Sequence, residues 1–424
     1  MEERMGNGWR RGFVIAIVFF VAVVVLAAAT GLWALTAIPI GFLFGFFLER
    51  SDLCGASAFS EVVMMKDPGK IWGIWVVIAV SMIMFTIGSA VGLIKLSPKP
   101  LLWANYVLGG AIFGVGTVLA GGCVSGCLFK AGQGNINSMA ALVAMPIGMA
   151  AVAYGPLAGL NKTLSSYVIK GPDGGPVTLS ALTGLPYWAL AIFFCVVTLL
   201  VAAVWVSKAK RNRTQTMTQS RPVPLVERIF MRPWKPWHSG IAIGILALIA
   251  YTSSAASGRN YPLGVTHGVL FATTVLTESP VTSVWASSHP VQKVAFRQTE
   301  SQTKEATPAQ VSQGPKANPA PPTNGRKVVW WLVFLVTFVI LGSYVSSTMR
   351  GSFNLRPKPP EQTIVAFVGG LLVGIGAWLA TACVIGHIMS GVALMSVGSI
   401  IFAVTVVLAN WVTTYAYLMG GFSR

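Results

Sequence analysis

The sequence predicts an all-α integral membrane protein, a polytopic helical bundle with internal repeats and short broken or re-entrant half-helices. Three observations lead there. Over 424 residues, 54% are hydrophobic and only 10% charged, with a mean hydropathy of +0.70, more apolar surface than a soluble core absorbs. Several apolar runs reach the roughly 20 residues needed to cross about 30 Å of hydrocarbon, which excludes the short alternating strands of a transmembrane barrel. A pattern of glycines ahead of a cysteine also recurs along the chain at a fixed spacing.

The first apolar run, "GFVIAIVFFVAVVVLAAATGLWAL", follows Arg10 and Arg11 and is longer than the core of a signal peptide, so it reads as a retained span. Hydropathy places spans near 12–35, 70–94, 103–121, 136–157, 186–207, 327–349, 362–381 and 393–418. Between them lie apolar pieces too short to cross: "AIPIGFLFGFFL" before "ERSDLCGASAFSEVVMM", and "SGIAIGILALIAY" before "TSSAASGRNYPLGVTHGVLFATT". These read as half-helices meeting at polar breaks. Such breaks persist at membrane depth only where the freed backbone faces protein or a water-filled path.

Residues 1–207 form a first repeat region with a linking span, 208–237 a basic connecting loop, and 238–424 a second repeat region. Residues 277–326, rich in Ser, Thr, Gln, Pro and Lys, interrupt the second region and read as a disordered insertion.

The net charge of +18 is concentrated between apolar segments, above all at 207–237, where positive-inside bias explains it without a nucleic-acid partner. If that loop and the insertion both face the cytoplasm, the five spans before the loop put the N-terminus outside. Five cysteines without a C-x-x-C pair or a His-rich ligand set give no disulfide framework and no metal site, and no cofactor is expected.

Aligning 109–126, "GGAIFGVGTVLAGGCVSG", with 369–386, "GGLLVGIGAWLATACVIG", gives identity at about half the positions, Cys123 falling on Cys383. The skeleton Gly-x3-Gly-x8-Cys recurs at Gly41, Gly45 and Cys54, and at Gly240 and Gly244 with Ser253 in place of Cys. Paired glycines let a neighbouring helix approach closely. Broken helices ending in the same side chain are the pattern of a transporter whose site lies at the repeat interface. A thiol in apolar surroundings stays neutral and is a weak, polarizable donor, able to contact a soft anion without trapping it. Cys54, Cys123 and Cys383 therefore suit a path for a sulfur-bearing anion, whereas Cys127 and Cys195 read as packing residues.

With "GFLFGFFLERSDLCGAS" and "YPLGVTHG", these motifs resemble the YeeE/YedE family of sulfur-compound transporters, across most of the chain apart from 277–326. The resemblance implies a multi-pass protein of the plasma membrane that takes up thiosulfate, with three cysteines lining a central path. By motif these are Cys54, Cys123 and Cys383. Where that family tends to carry a basic residue followed by Gly-acid-Gly, this chain has Lys130, Gly132, Gln133 and Gly134.

Other residues carry two readings each. Lys130 either draws an anion to a mouth or snorkels to the interface. Arg50, in "ERSD", either touches the anion or closes an ion pair within that tetrapeptide. Gly122, Gly132 and Gly134 shape the loop. His267 and His387, near breaks, are structural or proton-coupled. Asn135, Asn137 and Ser138 are expected to cap the helix that follows. Alternatives to thiosulfate uptake stay open: a membrane sulfurtransferase that forms a cysteine persulfide, or transport of another sulfur or selenium compound. So does a cytoplasmic sulfur-carrier protein as partner.

Overall fold

The computed structural model describes residues 18–171, 174–212, 232–277, 281–284, 326–355 and 359–420. Among them, nine helical segments are long and apolar enough to cross a membrane, and strands are confined to one short pair. The protein is a multi-pass, all-helical membrane protein.

A helix α1 (Val18–Thr30) precedes four repeats of one plan: a long helix, a break, a half-helix and a second long helix. Repeat one is α2 (Ala37–Ser51), α3 (Gly55–Met65) and α4 (Gly69–Ala90); repeat two is α5 (Trp103–Leu119), α6 (Val124–Gly132) and α7 (Ile136–Ala153). Two short helices, α8 (Ala158–Ser165) and α9 (Leu179–Thr183), and the long α10 (Tyr187–Asn212) connect the halves. Repeat three is α11 (Pro236–Ala256), α12 (Thr266–Thr277) and α13 (Trp330–Met349), with strands β1 (Val281–Val284) and β2 (Arg326–Val329) paired in parallel between its last two helices. Repeat four is α14 (Pro360–Leu379), a π-helical turn Ile385–Gly391 and α15 (Val397–Thr413).

The repeats interlock in pairs of opposite direction. Helix α2 runs parallel to α13, because Gly41 and Gly45 sit against Leu335 and Val339, where a Cβ would fall 2.5 and 2.1 Å from the facing carbonyl oxygens. Only glycine admits that approach. Helix α4 lies parallel to α11, with Gly73 on Pro236 and Gly244 on Val80. Likewise α5 runs with α15, Gly110 on Thr405 and Gly114 on Ala409, and α7 with α14, Ala141 against Gly370 and Met145 against Gly374. The first helix of each early repeat thus runs with the last helix of a late one. Repeats three and four are inverted relative to one and two, the arrangement that gathers breaks near the middle of a bilayer.

One end of the bundle carries Arg50, whose carbonyl accepts from the Trp234 amide just after the basic loop. The other carries Trp331, whose indole donates to Ser253 near the end of α11 (2.8 Å). About 25 Å of α11 separates them. The basic loop and the 277–326 insertion therefore leave from opposite ends, and the expectation that both face the cytoplasm is corrected. Helix α1 folds back along α2, Phe20 on Phe42 (5.0 Å between rings), so that Val18, its first described residue, points to the basic-loop end; residues 1–17 lie outside the described residues.

Two further expectations change. Helix α11, at 21 residues, is a full span and not a half-helix; the half-helix of repeat three is α12. Part of the insertion, Val281–Val284, is ordered as β1, while 285–325 and the core of the basic loop, 213–231, lie outside the described residues. The predicted span at 12–35 is described only from Val18.

Candidate functional site

In repeats one, two and four the break is short and built alike. The residue two places before the cysteine takes a left-handed backbone: Asp52 (φ 48°), Gly121 (φ 67°) and Thr381 (φ 64°). That conformation turns the chain out of the long helix and aims it into the half-helix. It comes readily to glycine and at a cost to a β-branched Thr, so Thr381 marks a position held by its surroundings. Each cysteine then accepts the first bond of its half-helix, from Ala58 to Cys54 (2.9 Å), Cys127 to Cys123 (2.8 Å) and His387 to Cys383 (2.9 Å).

The three thiols thus stand at half-helix N-termini, where the dipole favours negative charge. All three cysteines are buried, and the Cys54 and Cys123 sulfurs lie 3.9 Å apart. Gly126 keeps space beside them, since a Cβ there would stand 2.3 Å from the Cys54 sulfur. Gly55, next to Cys54, packs on Val384, next to Cys383. The three cysteines named from the sequence are therefore brought together.

A lysine is bound at each of these breaks. Lys99 donates to the Thr381 carbonyl (3.0 Å) and hydroxyl (3.2 Å), Lys130 donates to the Gly121 carbonyl (2.7 Å), and Lys70 pairs with Asp52 and with Glu61. Lys130 and Lys70 lie toward the basic-loop end.

Lys99 lies at the opposite end, on a cavity of about 470 Å³ lined also by Arg259, Tyr261, Thr266, His267 and Ala382, the residue before Cys383. Lys99 stands over the Tyr261 ring (5.3 Å) and Arg259 over the rings of Tyr261 (5.4 Å) and Trp331 (5.5 Å). Arg259 also donates to the Pro262 carbonyl (2.9 Å), and the Tyr261 hydroxyl to that of Gly386. Two cations line this one cavity, the vestibule, whose low-dielectric walls focus their field. Burial, and then the charge of Arg259, pull Lys99 down to about 7, in a connection between predicted spans.

Sequence reasoning missed Lys99 and Arg259. Arg259 carried a signal, since an ionisable residue inside a membrane break marks function by default. Lys99, in "SPKPLL", has no local signature.

The remaining candidates make contacts away from the thiols or within the breaks. Arg50 is buried, its guanidinium 4.8 Å over the Phe46 ring, and its side-chain nitrogens have no hydrogen-bond partner among the described residues. The expected ion pair within "ERSD" does not form. Glu49 instead pairs with Arg350 (2.6 Å) and accepts from Gln133 (3.1 Å) and Ser346, while Asp52 pairs with Lys70. Among its described contacts, Arg50 has none with the thiols.

His387 holds the break of repeat four: its Nε2 donates to the Ala380 carbonyl (2.6 Å), which leaves Nδ1 to accept from Ser399 (3.0 Å). His267 lies on the vestibule wall with its ring tilted against that of Trp378 (4.9 Å between rings). Gly122 packs on Cys127, Gly132 on the Ile340 carbonyl of α13, and Gly134 turns the chain (φ 89°) against Asn354. Asn135 caps α7, accepting from the amides of Asn137 (3.1 Å) and Ser138 (3.4 Å).

Ser253 is not the counterpart of the cysteines. It lies inside α11, accepting from Trp331 and sharing a hydrogen bond with Thr36. Its neighbour Ser254 ties the end of α11 to the following turn, its hydroxyl donating to the Arg259 carbonyl (2.6 Å).

Comparison with known proteins agrees with this architecture. The family described as Sulphur transport matches residues 50–412. A protein named "Thiosulfate transporter TsuA" from Spirochaeta thermophila is 29% identical over 397 residues, 91% of this chain and 98% of its own. The Escherichia coli protein of the same name is 27% identical over 90% of this chain and 94% of its own. A "Probable transporter YedE" from Escherichia coli is 32% identical over 124 residues, 28% of this chain and 29% of its own. With nearly the whole membrane core matched, the chain belongs to the Sulphur transport family, the YeeE/YedE family that its glycine and cysteine motifs resemble.

Proposed function

We propose that this protein is a cell-membrane transporter that takes up intact thiosulfate, and that Cys54, Cys123 and Cys383 line its path. The observation that carries the reading is the convergence of three buried thiols at three half-helix N-termini, between a cationic vestibule and Lys130. The names of the two full-length relatives support the cargo.

Positive-inside bias puts the basic-loop end in the cytoplasm, so thiosulfate enters from the vestibule. Lys99 and Arg259 gather the dianion there. Beyond Ala382 the cargo meets thiols, whose weak S–H donors contact its terminal sulfur while helix dipoles offset its charge. The thiols themselves carry no charge, and several weak sites in succession let the dianion advance and leave. Lys130, at the basic-loop end, serves the exit. No bond in the cargo is made or broken, and a sulfur-carrier protein on the cytoplasmic side is the partner to which such delivery leads.

The test is uptake of thiosulfate carrying a different isotope on each sulfur. Both labels entering at equal rates is the expected result. Entry of the outer sulfur alone overturns intact transport in favour of sulfur transfer.

A further inference from the structure

Three of the four repeats end their break in a cysteine, and in repeat three the matching place belongs to Val265. The amide of Val269 donates to the carbonyl of Val265 (3.2 Å), as Ala58, Cys127 and His387 do to the three cysteines. Val265 is the fourth counterpart, fully buried and without a donor. Helix α11 runs on to Ala256, so nine residues separate it from Thr266 at the start of α12, whereas three to five separate each of the other long helices from the turn that follows its break.

The residue after Val265 is Thr266, the first of α12, a half-helix of 12 residues. Thr266 is 2% exposed, lines the vestibule with Lys99 and Arg259, and its hydroxyl has no hydrogen-bond partner. A buried unpaired hydroxyl is destabilising unless something completes it. Around it lie the first-turn amides of α12, which precede the first intrahelical bond and point toward the cavity end of the helix.

Resting on the thiosulfate reading, we infer that Thr266 is the binding donor for the oxygen end of the anion, the hard station of a set whose other three members are thiols. Thiosulfate has two chemically different ends, three oxygens and a terminal sulfur. A hydroxyl is a better donor to oxygen than a thiol is, and the thiol suits the polarizable sulfur. Thr266, Lys99 and Arg259 hold the oxygens in the vestibule, which leaves the terminal sulfur free to turn toward Cys383 beyond Ala382. The fourth repeat unit keeps its half-helix dipole at the mouth and exchanges soft chemistry for hard, so that the site selects an anion having both ends.

The experiment compares parent, Thr266→Val and Thr266→Ser in proteoliposomes, measuring initial thiosulfate uptake against concentration, with detergent melting temperature alongside. Loss of a hydrogen bond to a charged acceptor is expected to raise KM about tenfold or more in Thr266→Val. Thr266→Ser should stay within about threefold of the parent. Because the hydroxyl has no partner in the protein, Thr266→Val should melt no lower than the parent, which a merely structural threonine would not allow. An unchanged KM in Thr266→Val, or a raised KM accompanied by a lowered melting temperature, overturns the assignment. A parent that transports no thiosulfate overturns the cargo reading instead, so the two failures are distinguishable.

Discussion

The sulfurs of Cys54 and Cys123 stand 3.9 Å apart although 69 positions separate the residues in sequence, each held at the first turn of a different half-helix. That distance is contact between two thiols, short enough for one anion to pass from one to the other without leaving both. Two thiols in contact are also open to oxidation to a disulfide, which requires the sulfurs to close to about 2 Å. Treatment with a membrane-permeable dithiol oxidant should therefore remove two free thiols and stop uptake, with recovery on reduction. Thiol counting by mass spectrometry before and after treatment checks this; full uptake with Cys54 and Cys123 cross-linked would separate the pair from the path.

Lys99 gives the vestibule a pH dependence. Its ammonium, pulled down to about 7, is charged below that pH and neutral above it. The KM for thiosulfate should accordingly rise between about pH 6 and pH 8. In Lys99→Arg, whose guanidinium stays charged throughout, the KM should be nearly flat over the same range. Uptake measured at fixed membrane potential decides the matter, and an equal pH slope in both proteins would contradict it.

Gln133, standing where the YeeE/YedE pattern carries an acid, donates its amide to the buried carboxylate of Glu49. Gln133→Glu would set two carboxylates against each other and remove that donor. The variant should lose roughly 1–3 kcal/mol of stability, read as a lower melting temperature in detergent, with a smaller loss at pH 5 than at pH 8.

Ser253 ties α11 to Thr36 and Trp331. Ser253→Ala leaves the Trp331 indole without its acceptor and should cost about 1–3 kcal/mol of stability. Uptake per folded molecule should remain within a few-fold of the parent for both Ser253→Ala and Ser253→Cys. A many-fold fall at unchanged stability would put Ser253 in the path.

Much of this organisation is legible in the residues because the same physics that builds it limits their choice. Glycines at Gly41, Gly45, Gly114, Gly370 and Gly374 are required where a neighbouring helix backbone comes close, and each lies a fixed distance from its cysteine. Repeat three breaks that register. The longer α11 puts Ser253 at the cysteine spacing while the true counterpart, Val265, lies 12 residues further on, and no local pattern reveals the extra turns of helix. Lys99 is illegible for a different reason, since its role comes from Thr381, 282 positions away, and from Arg259 across the cavity. The ends from which the two loops leave depended on whether α11 spans, which its small polar residues Thr252, Ser253 and Ser254 obscured.

The claim that thiols line the path is tested most directly by initial thiosulfate uptake per folded molecule in Cys54→Ala, Cys123→Ala, Cys383→Ala and Cys195→Ala. Each of the first three should lose nearly all uptake while retaining parental expression and melting behaviour, and Cys195→Ala, on the peripheral α10, should transport as the parent does. Normal uptake by Cys123→Ala and Cys383→Ala would contradict the account.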